Sequence, residues 1–243
     1  MKGLSIIPAR SGSRSVPDKN IRSFSNSSLL EEAIKHVLKT NLDLDIVVST
    51  DSEEYALKAR NAGAFVNTLR PENLATDQID LTMTLQFEYM NAVKLLNKKY
   101  DYILLTLPTS PFRKIKNTIN CVNYFLKMRD QGVTSTLTVF ESEANENPAW
   151  QIRLDQNNFD LVPKLENIFR DNINQFPPNR ASLPKFYIKN DHAIVIDFNN
   201  IICDKPSIYG EKPLVYICKK YYDIDINSIE EFKIAEKLYL GVS

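Results

Sequence analysis

The stretch SIIPARSGSRSVPDKNI occupies residues 5–21. It opens as a short apolar run of the kind that forms a buried strand. It then breaks into a loop holding Arg10, Arg14 and Lys19 among small residues and Pro17. On charge alone the loop is either a solvated basic turn or a site for a polyanion. In an open α/β sheet, ligands sit beyond the carboxyl ends of the strands, which is where this loop lies. Gly12 permits close backbone approach and Ser13 supplies a hydroxyl. With the three cations they suit a phosphate chain, which backbone N–H groups and cations bind. The loop is neither a G-x-G-x-x-G fingerprint nor a P-loop, because no G-K-[ST] follows.

Outward from this loop, apolar runs alternate with helical patterns. Strands are expected at 4–9, 45–50, 64–69, 100–110 and 133–140. Helices are expected between them at 27–40, 52–63, 80–99 and 117–132. Ser28 and Glu31 form a capping-box pattern, and Gly63 is a C-terminal stop. The run at 100–110 is apolar throughout, as a central parallel strand should be. This order implies βαβ units and a mostly parallel sheet. From 141 to 190 the rhythm fails in a polar, proline-rich and aromatic segment, too long for an idle loop. It reads as a small insertion that covers the site or pairs with a second subunit. Strands at 192–198 and 214–220 and a closing helix at 228–240 follow. The expectation is one domain over 1–243 with an insertion at 141–190.

The 243 residues carry 30 basic and 30 acidic side chains. Exact cancellation argues against a general nucleic-acid binder, which shows a basic excess. The cationic loop must therefore be a local site. Cys121, Cys203 and Cys218 sit in apolar runs, match no zinc spacing and read as buried reduced thiols. The apolar part of the N-terminus is too short for a signal peptide. No run approaches the roughly 20 apolar residues of a membrane span. A cytoplasmic protein without membrane contact is expected.

The opening loop also resembles a family signature. IPARSGSRSVPDKN is similar to I-P-A-R-x-G-S-K-x-x-P-x-K-N of the N-acylneuraminate (sialic acid) cytidylyltransferases and their relatives acting on other nonulosonates. VVSTDSEEYALKARNAGA (47–64) resembles the family's second strand and helix. RPENLATD (70–77) resembles R-P-x-x-L-A-x-D, and LPTSPFR (107–113) resembles Q-P-T-S-P-x-R. DINSIEEFKIAE (225–236) resembles D-I-D-x-x-x-D-x-x-x-A-E. The motifs keep the family's order across nearly the whole chain.

The resemblance implies a three-layer α/β/α, Rossmann-like nucleotide-diphospho-sugar transferase fold with a small dimerisation insertion, and a homodimer. It implies nucleotidyl transfer: the anomeric hydroxyl of a 2-keto acid sugar attacks the α-phosphate of CTP, and pyrophosphate leaves. Ala9, Arg10, Gly12, Ser13, Arg14, Lys19 and Asn20 would hold the nucleotide. Arg70 would contact phosphate and Asp77 would shape the site. Arg10, Lys19 and Asp225 would carry catalysis. Arg14 stands where Lys is usual, keeping the charge with other geometry. Asp51 either binds the nucleotide or starts a helix.

For Mg²⁺, Asp225 fits the family's first carboxylate, because a hard oxygen ligand is what the ion requires. Asn227 stands where the second carboxylate belongs, and Asp223 offers a shifted register. Glu231 fits a capping box with Ser228. Toward the sugar, Leu107 replaces the usual Gln, and a leucine makes no hydrogen bond. Thr109, Ser110 and Asn190 complete that side, with Arg180 a candidate for the sugar carboxylate. The family's Gly after Asn is absent from NDHAIVI (190–196). His36 reads as an ordinary flank of a helix and His192 as no general base. Trp150, Phe176 and Phe186 read as packing. Two other readings are a nucleotide-binding subunit with little catalysis, and an enzyme of this fold using another nucleotide or sugar.

Overall fold

The computed structural model describes residues 1–76, 79–148, 153–154, 165–166, 185–220 and 223–242. In chain order, strands β1 (Gly3–Pro8), β2 (Ser23–Phe24) and β3 (Ser27–Ser28) precede helix α1 (Leu29–Lys39). Strand β4 (Leu44–Ser49), helices α2 (Glu53–Asn61) and α3 (Leu81–Leu96) and strand β5 (Tyr102–Leu105) come next. Helix α4 (Ile115–Met128) leads to β6 (Ser135–Glu141), β7 (Arg153–Leu154) and β8 (Leu165–Glu166). Strands β9 (Tyr187–Asp197) and β10 (Pro213–Cys218) and helix α5 (Ile229–Val242) close the chain. Six strands form one sheet in the order β10-β6-β9-β5-β1-β4; β2 pairs with β3, and β7 with β8.

β1 lies between β4 and β5 and is parallel to both. β9 runs antiparallel to β5. The sheet is therefore mixed at this strand, where an antiparallel neighbour needs no crossover helix. The strand expected at 64–69 is reduced to a single bridge between Val47 and Phe65. Phe65 and Leu69 are exposed. The segment thus lacks a second buried face to extend the pairing, and it turns away so that the Arg70 N–H reaches the Thr50 carbonyl at 2.7 Å.

Side chains alternate across the sheet, and the two faces have different partners. Ile7, Ile46 and Val48 join Leu30, Ile34, Tyr55 and Ala59 of α1 and α2. On the same face Tyr102, Leu104 and Val195 join Cys121, Val122 and Phe125 of α4. The alternate residues Leu4, Ile6, Val47, Ile103 and Leu105 are also buried. Helix α3 packs on β1 and β4, and its Leu85, Tyr89 and Ala92 are buried. These are the two helical layers of an α/β/α arrangement, as expected. A third cluster joins Val16, Phe24 and Phe112 to Ile226, Phe232 and Ala235. It fastens the end of the first loop to α5.

The helix starts follow the sequence signals. Ser28 caps α1 by accepting from the Glu31 N–H at 3.3 Å. Asp80 caps α3 by accepting from the Thr82 N–H at 2.9 Å. At α5, Ser228 Oγ accepts from the Glu231 N–H at 3.1 Å, while the Glu231 carboxylate accepts from the N–H groups of Ser228 and Asn227. Two expectations need correction. His36 is buried, and its Nε2 meets Thr118 Oγ1 of α4 at 2.8 Å. Burial, with Arg113 next in weight, depresses its pKa to about 2, so the ring is neutral. Cys121 and Cys218 are buried free thiols, but Cys203 is exposed, because its short apolar run ends on a surface turn.

The chain divides into two compact units. One comprises 1–138, 190–216 and 221–243; the other comprises 139–189 and 217–220. In the second, Lys220 Nζ lies 2.6 Å from Glu146 Oε1, and β7 pairs with β8.

Gly3 has no room for a side chain. A Cβ there would lie 2.4 Å from the Tyr102 ring and 2.5 Å from Leu44 Cδ2. Overpacking of this kind costs about 1–3 kcal/mol. Gly3→Ala is expected to lower stability by that amount, read as an earlier midpoint in urea unfolding with an unchanged slope.

Candidate active site

The first loop is held from both ends before any ligand arrives. Ser11, which the sequence did not single out, donates its N–H to Asp51 Oδ1 and its hydroxyl to Asp51 Oδ2, both at 2.7 Å. Although burial opposes it, these donors keep the Asp51 carboxyl below its usual range. Of the two readings left open for Asp51, neither describes this role: its carboxylate fastens the loop. Ser52, not Asp51, occupies the cap position of α2. Gly12 has φ 67°, a left-handed conformation that favours glycine. Asn20 is buried, donates from Nδ2 to the Arg10 carbonyl at 3.3 Å and accepts from the Leu30 N–H at 2.9 Å. The loop closes on itself through Asn20 and on β4 through Asp51.

Three cations reach one cleft. Arg10, Ser13, Lys19, Asn20, Arg70, Leu107 and Thr109 line a space of about 330 Å³. Residues 74–84 add Leu74, Thr76, Ile79, Leu81 and Thr84 as an apolar and hydroxyl wall. Leu74 and Thr76 fall inside RPENLATD, and only the position of the other three just after it marks them in the sequence. Lys19 Nζ donates to the Ile226 carbonyl at 2.7 Å. Burial lowers the pKa of Lys19, Asp225 opposes that, and Arg10 adds to it. Arg70 is buried and donates from Nε to Ser49 Oγ at 3.0 Å and from Nη2 to the Ser49 carbonyl at 2.8 Å.

Ile226 also donates its N–H to the Thr109 carbonyl at 3.0 Å. The backbone of one residue thereby ties the DIN stretch to both Lys19 and the LPTS loop. Arg113 is buried and donates from Nη2 to the Leu107 carbonyl. Burial lowers its pKa to about 10, against the pull of Asp191 and Asp225.

Not every expected residue comes to the cleft. Ala9 is buried beneath the loop, and Gly12 and Arg14 are exposed outside the lining. Ser110 and Asn190 are buried and are not among the lining residues. Asn190 Oδ1 accepts from the Thr138 hydroxyl at 2.6 Å and the His192 N–H at 3.1 Å. Asp77, Arg180, Trp150 and Phe176 lie outside the described residues, whereas Phe186 is half-buried.

The expected metal ligands are not one cluster. Asp225 is exposed, and its Oδ2 accepts from Asn227 Nδ2 at 2.9 Å. Asp223 Oδ1 instead meets the buried His192 Nε2 at 2.8 Å. Among the described residues, no three His, Cys, Asp or Glu side chains stand close enough to hold one ion. Mg²⁺ at a nucleotide takes one or two carboxylates and fills its other positions with water and phosphate oxygens. Asp225 with its neighbour Asn227 fits that requirement.

A cleft beyond the carboxyl ends of β1, β4 and β5, lined by three cations, defines an α/β nucleotide-binding transferase. The family model described as Cytidylyltransferase matches residues 4–233. The chain is 31% identical over 240 residues to a CMP-N,N'-diacetyllegionaminic acid synthase of Legionella pneumophila, covering 98% of this chain and 96% of that protein. It is 29% identical over 239 residues to an N-acylneuraminate cytidylyltransferase of Escherichia coli O18:K1:H7, covering 96% of this chain but 51% of that protein. A CMP:2-keto-3-deoxy-manno-octonic acid synthetase complexed with CTP superposes with a TM-score of 0.71 over 100% of both chains. At 13% identity that likeness shows the fold alone. This chain belongs to the cytidylyltransferase family, and it is a nucleotidyltransferase of the nonulosonate-activating kind that its motifs resemble. The nucleotide-binding subunit without catalysis is not favoured.

Asp51→Ala removes both bonds to Ser11. A hydrogen bond to a charged group is worth about 1.5–3 kcal/mol. The variant is expected to need about tenfold more CTP for half-maximal rate, with kcat changed less, in a steady-state assay of pyrophosphate release.

Proposed function

We propose that this cleft binds CTP by its phosphates on Arg10, Lys19 and Arg70 and presents the α-phosphate to the anomeric hydroxyl of a nonulosonic acid. The convergence of those three cations in one space carries the reading. Negative charge moves onto the pyrophosphate as it leaves. Cations held in place beforehand stabilise that charge without reorganising. Lys19 is already fixed on a carbonyl and Arg70 on two oxygens of Ser49. Ser13 and Asn20 lie at the same wall and supply neutral donors. The resemblance of RPENLATD gives Asp77 a part in shaping the site.

Mg²⁺, when bound, neutralises phosphate charge and polarises the phosphoryl oxygens. Asp225 would hold it together with the carboxamide oxygen of Asn227. Asp223 is the lesser candidate, since His192 engages its carboxylate. The sugar lies along Leu107 and Thr109, with Arg180 as the partner of its carboxylate. With Leu107 at the wall, the polar contact usual at that point is replaced by an apolar one.

The enzyme is proposed to act as a cytoplasmic homodimer. Two observations support this: the three cysteines are free thiols, and the edge strand β10 exposes Val215 and Ile217. Exposed apolar side chains on an edge strand are a pairing surface. The unit of 139–189 and 217–220 is proposed as the part that docks on the second subunit. Among the described residues, no helix is long and apolar enough to cross a membrane.

The test is pyrophosphate release with CTP, Mg²⁺ and a panel of acidic 2-keto sugars, with UTP and GTP as controls. Arg10→Ala and Lys19→Ala are each expected to reduce kcat about 10²–10³-fold; rates within a few-fold of the parent would reject the phosphate roles. In a Mg²⁺ titration, Asp225→Ala should lose both activity and metal dependence. Asp223→Ala should keep its metal dependence.

A further inference from the structure

Helix α3 carries a carboxylic acid where an apolar residue belongs. Glu88 is fully buried between Leu85 and Ala92 on the face that packs on the sheet. Among the described residues, neither carboxyl oxygen has a geometric hydrogen-bond partner. Burying a carboxylate is costly unless it is paired. The groups that act on it are the Ser49 hydroxyl, at the end of β4, and the Arg70 guanidinium. Arg70 in turn feels Asp51 and Arg10. The same Ser49 accepts from Arg70 Nε at 3.0 Å. A buried acid thus acts on an arginine that lines the cleft, and both are influenced by Ser49.

We propose that Glu88 is a positioning residue for Arg70, a buried proton acceptor behind the guanidinium that takes up a proton when nucleotide phosphates arrive in front of it. This rests on the reading that Arg70 meets those phosphates. Burial pushes the Glu88 carboxyl up to about 7, with Ser49 and Arg70 pulling it back. Near neutral pH both forms are therefore present. Ionised Glu88 neutralises part of the Arg70 charge and weakens its hold on phosphate. Phosphate beside Arg70 adds negative charge and favours protonated Glu88. These are one coupling free energy seen from two sites. CTP binding near pH 7 then takes up a proton. Affinity for CTP falls as pH rises through 7, because deprotonated Glu88 competes for Arg70.

Calorimetric titration of CTP with Mg²⁺ into the full chain tests this. Measured at pH 7 in buffers of low and high ionisation enthalpy, it gives the protons taken up. Glu88→Gln keeps the shape and removes the titration. The parent is expected to take up about half a proton more than the variant, since a group at its pKa is half ionised. Its Kd should rise about three- to tenfold more than the variant's between pH 6 and pH 8. Equal uptake by both proteins overturns the proposal. Absence of CTP binding by both overturns the reading of the cleft, and this proposal with it. Should Glu88→Gln fail to fold, carboxyl ¹³C resonances of the parent decide. A glutamate titrating near 7 must move its midpoint upward when CTP is added, and an unmoved midpoint overturns the assignment.

Discussion

The backbone of Ile226 is the constraint on which the site depends. Its carbonyl holds the Lys19 ammonium and its N–H is satisfied by Thr109. These bonds join three stretches far apart in sequence: the first loop, the loop after β5 and the approach to α5. Ile226 itself is fully buried in the cluster that packs α5 against Val16, Phe24 and Phe112. Burial of that apolar cluster fixes the peptide, and the peptide fixes the lysine. A long flexible ammonium side chain gives up roughly 2 kcal/mol of rotamer freedom when it is ordered. Here that loss falls on folding, before the nucleotide binds.

The same logic runs through the other two cations. Arg70 is clamped by the Ser49 hydroxyl and carbonyl, and the carbonyl of Arg10 is held by Asn20. Neutral oxygens carry most of this anchoring. Three acidic side chains close by are engaged elsewhere as well: Asp51 by Ser11, Asp223 by His192 and Glu231 by the start of α5. Their charge is spent on backbone and neighbour donors rather than on pairing with the cleft cations. The cations keep their capacity for phosphate, although the chain as a whole is electrically balanced.

The parallel core and the cationic loop were legible because both rest on local patterns. Apolar runs of strand length, capping signals at Ser28 and Ser228, and a basic loop directly after a strand all lie within a few residues. What escaped was long-range. Nothing around Ser11 in sequence reveals that Asp51, forty residues on, will accept from it. His36 looked like a helix flank because its partner, Thr118, lies on α4. The bridge at Phe65 looked like a strand because its composition is that of one; only the exposed ring shows why pairing stops. Glu88 sits in an amphipathic pattern that a glutamate ordinarily flanks, so its complete burial was invisible.

The departures from the family pattern divide by location. The phosphate side keeps its cations, with one Lys replaced by Arg14, which is exposed outside the cleft. The changes gather where sugar and metal are expected: Leu107, Asn227 and the glycine missing from NDHAIVI (190–196). The pattern's glycine after Asn190 is absent here, and the His192 ring, two residues on, meets Asp223 at 2.8 Å. This leaves Asp225, beside Lys19 and Arg113, as the carboxylate facing the cations from this loop. One carboxylate there, rather than two, suits a site whose ion takes most of its ligands from water and phosphate. In the proposed Mg²⁺ role, the nucleotide would supply part of its own metal site. Metal affinity and nucleotide affinity would then be coupled through the triphosphate, not through a preformed protein cage.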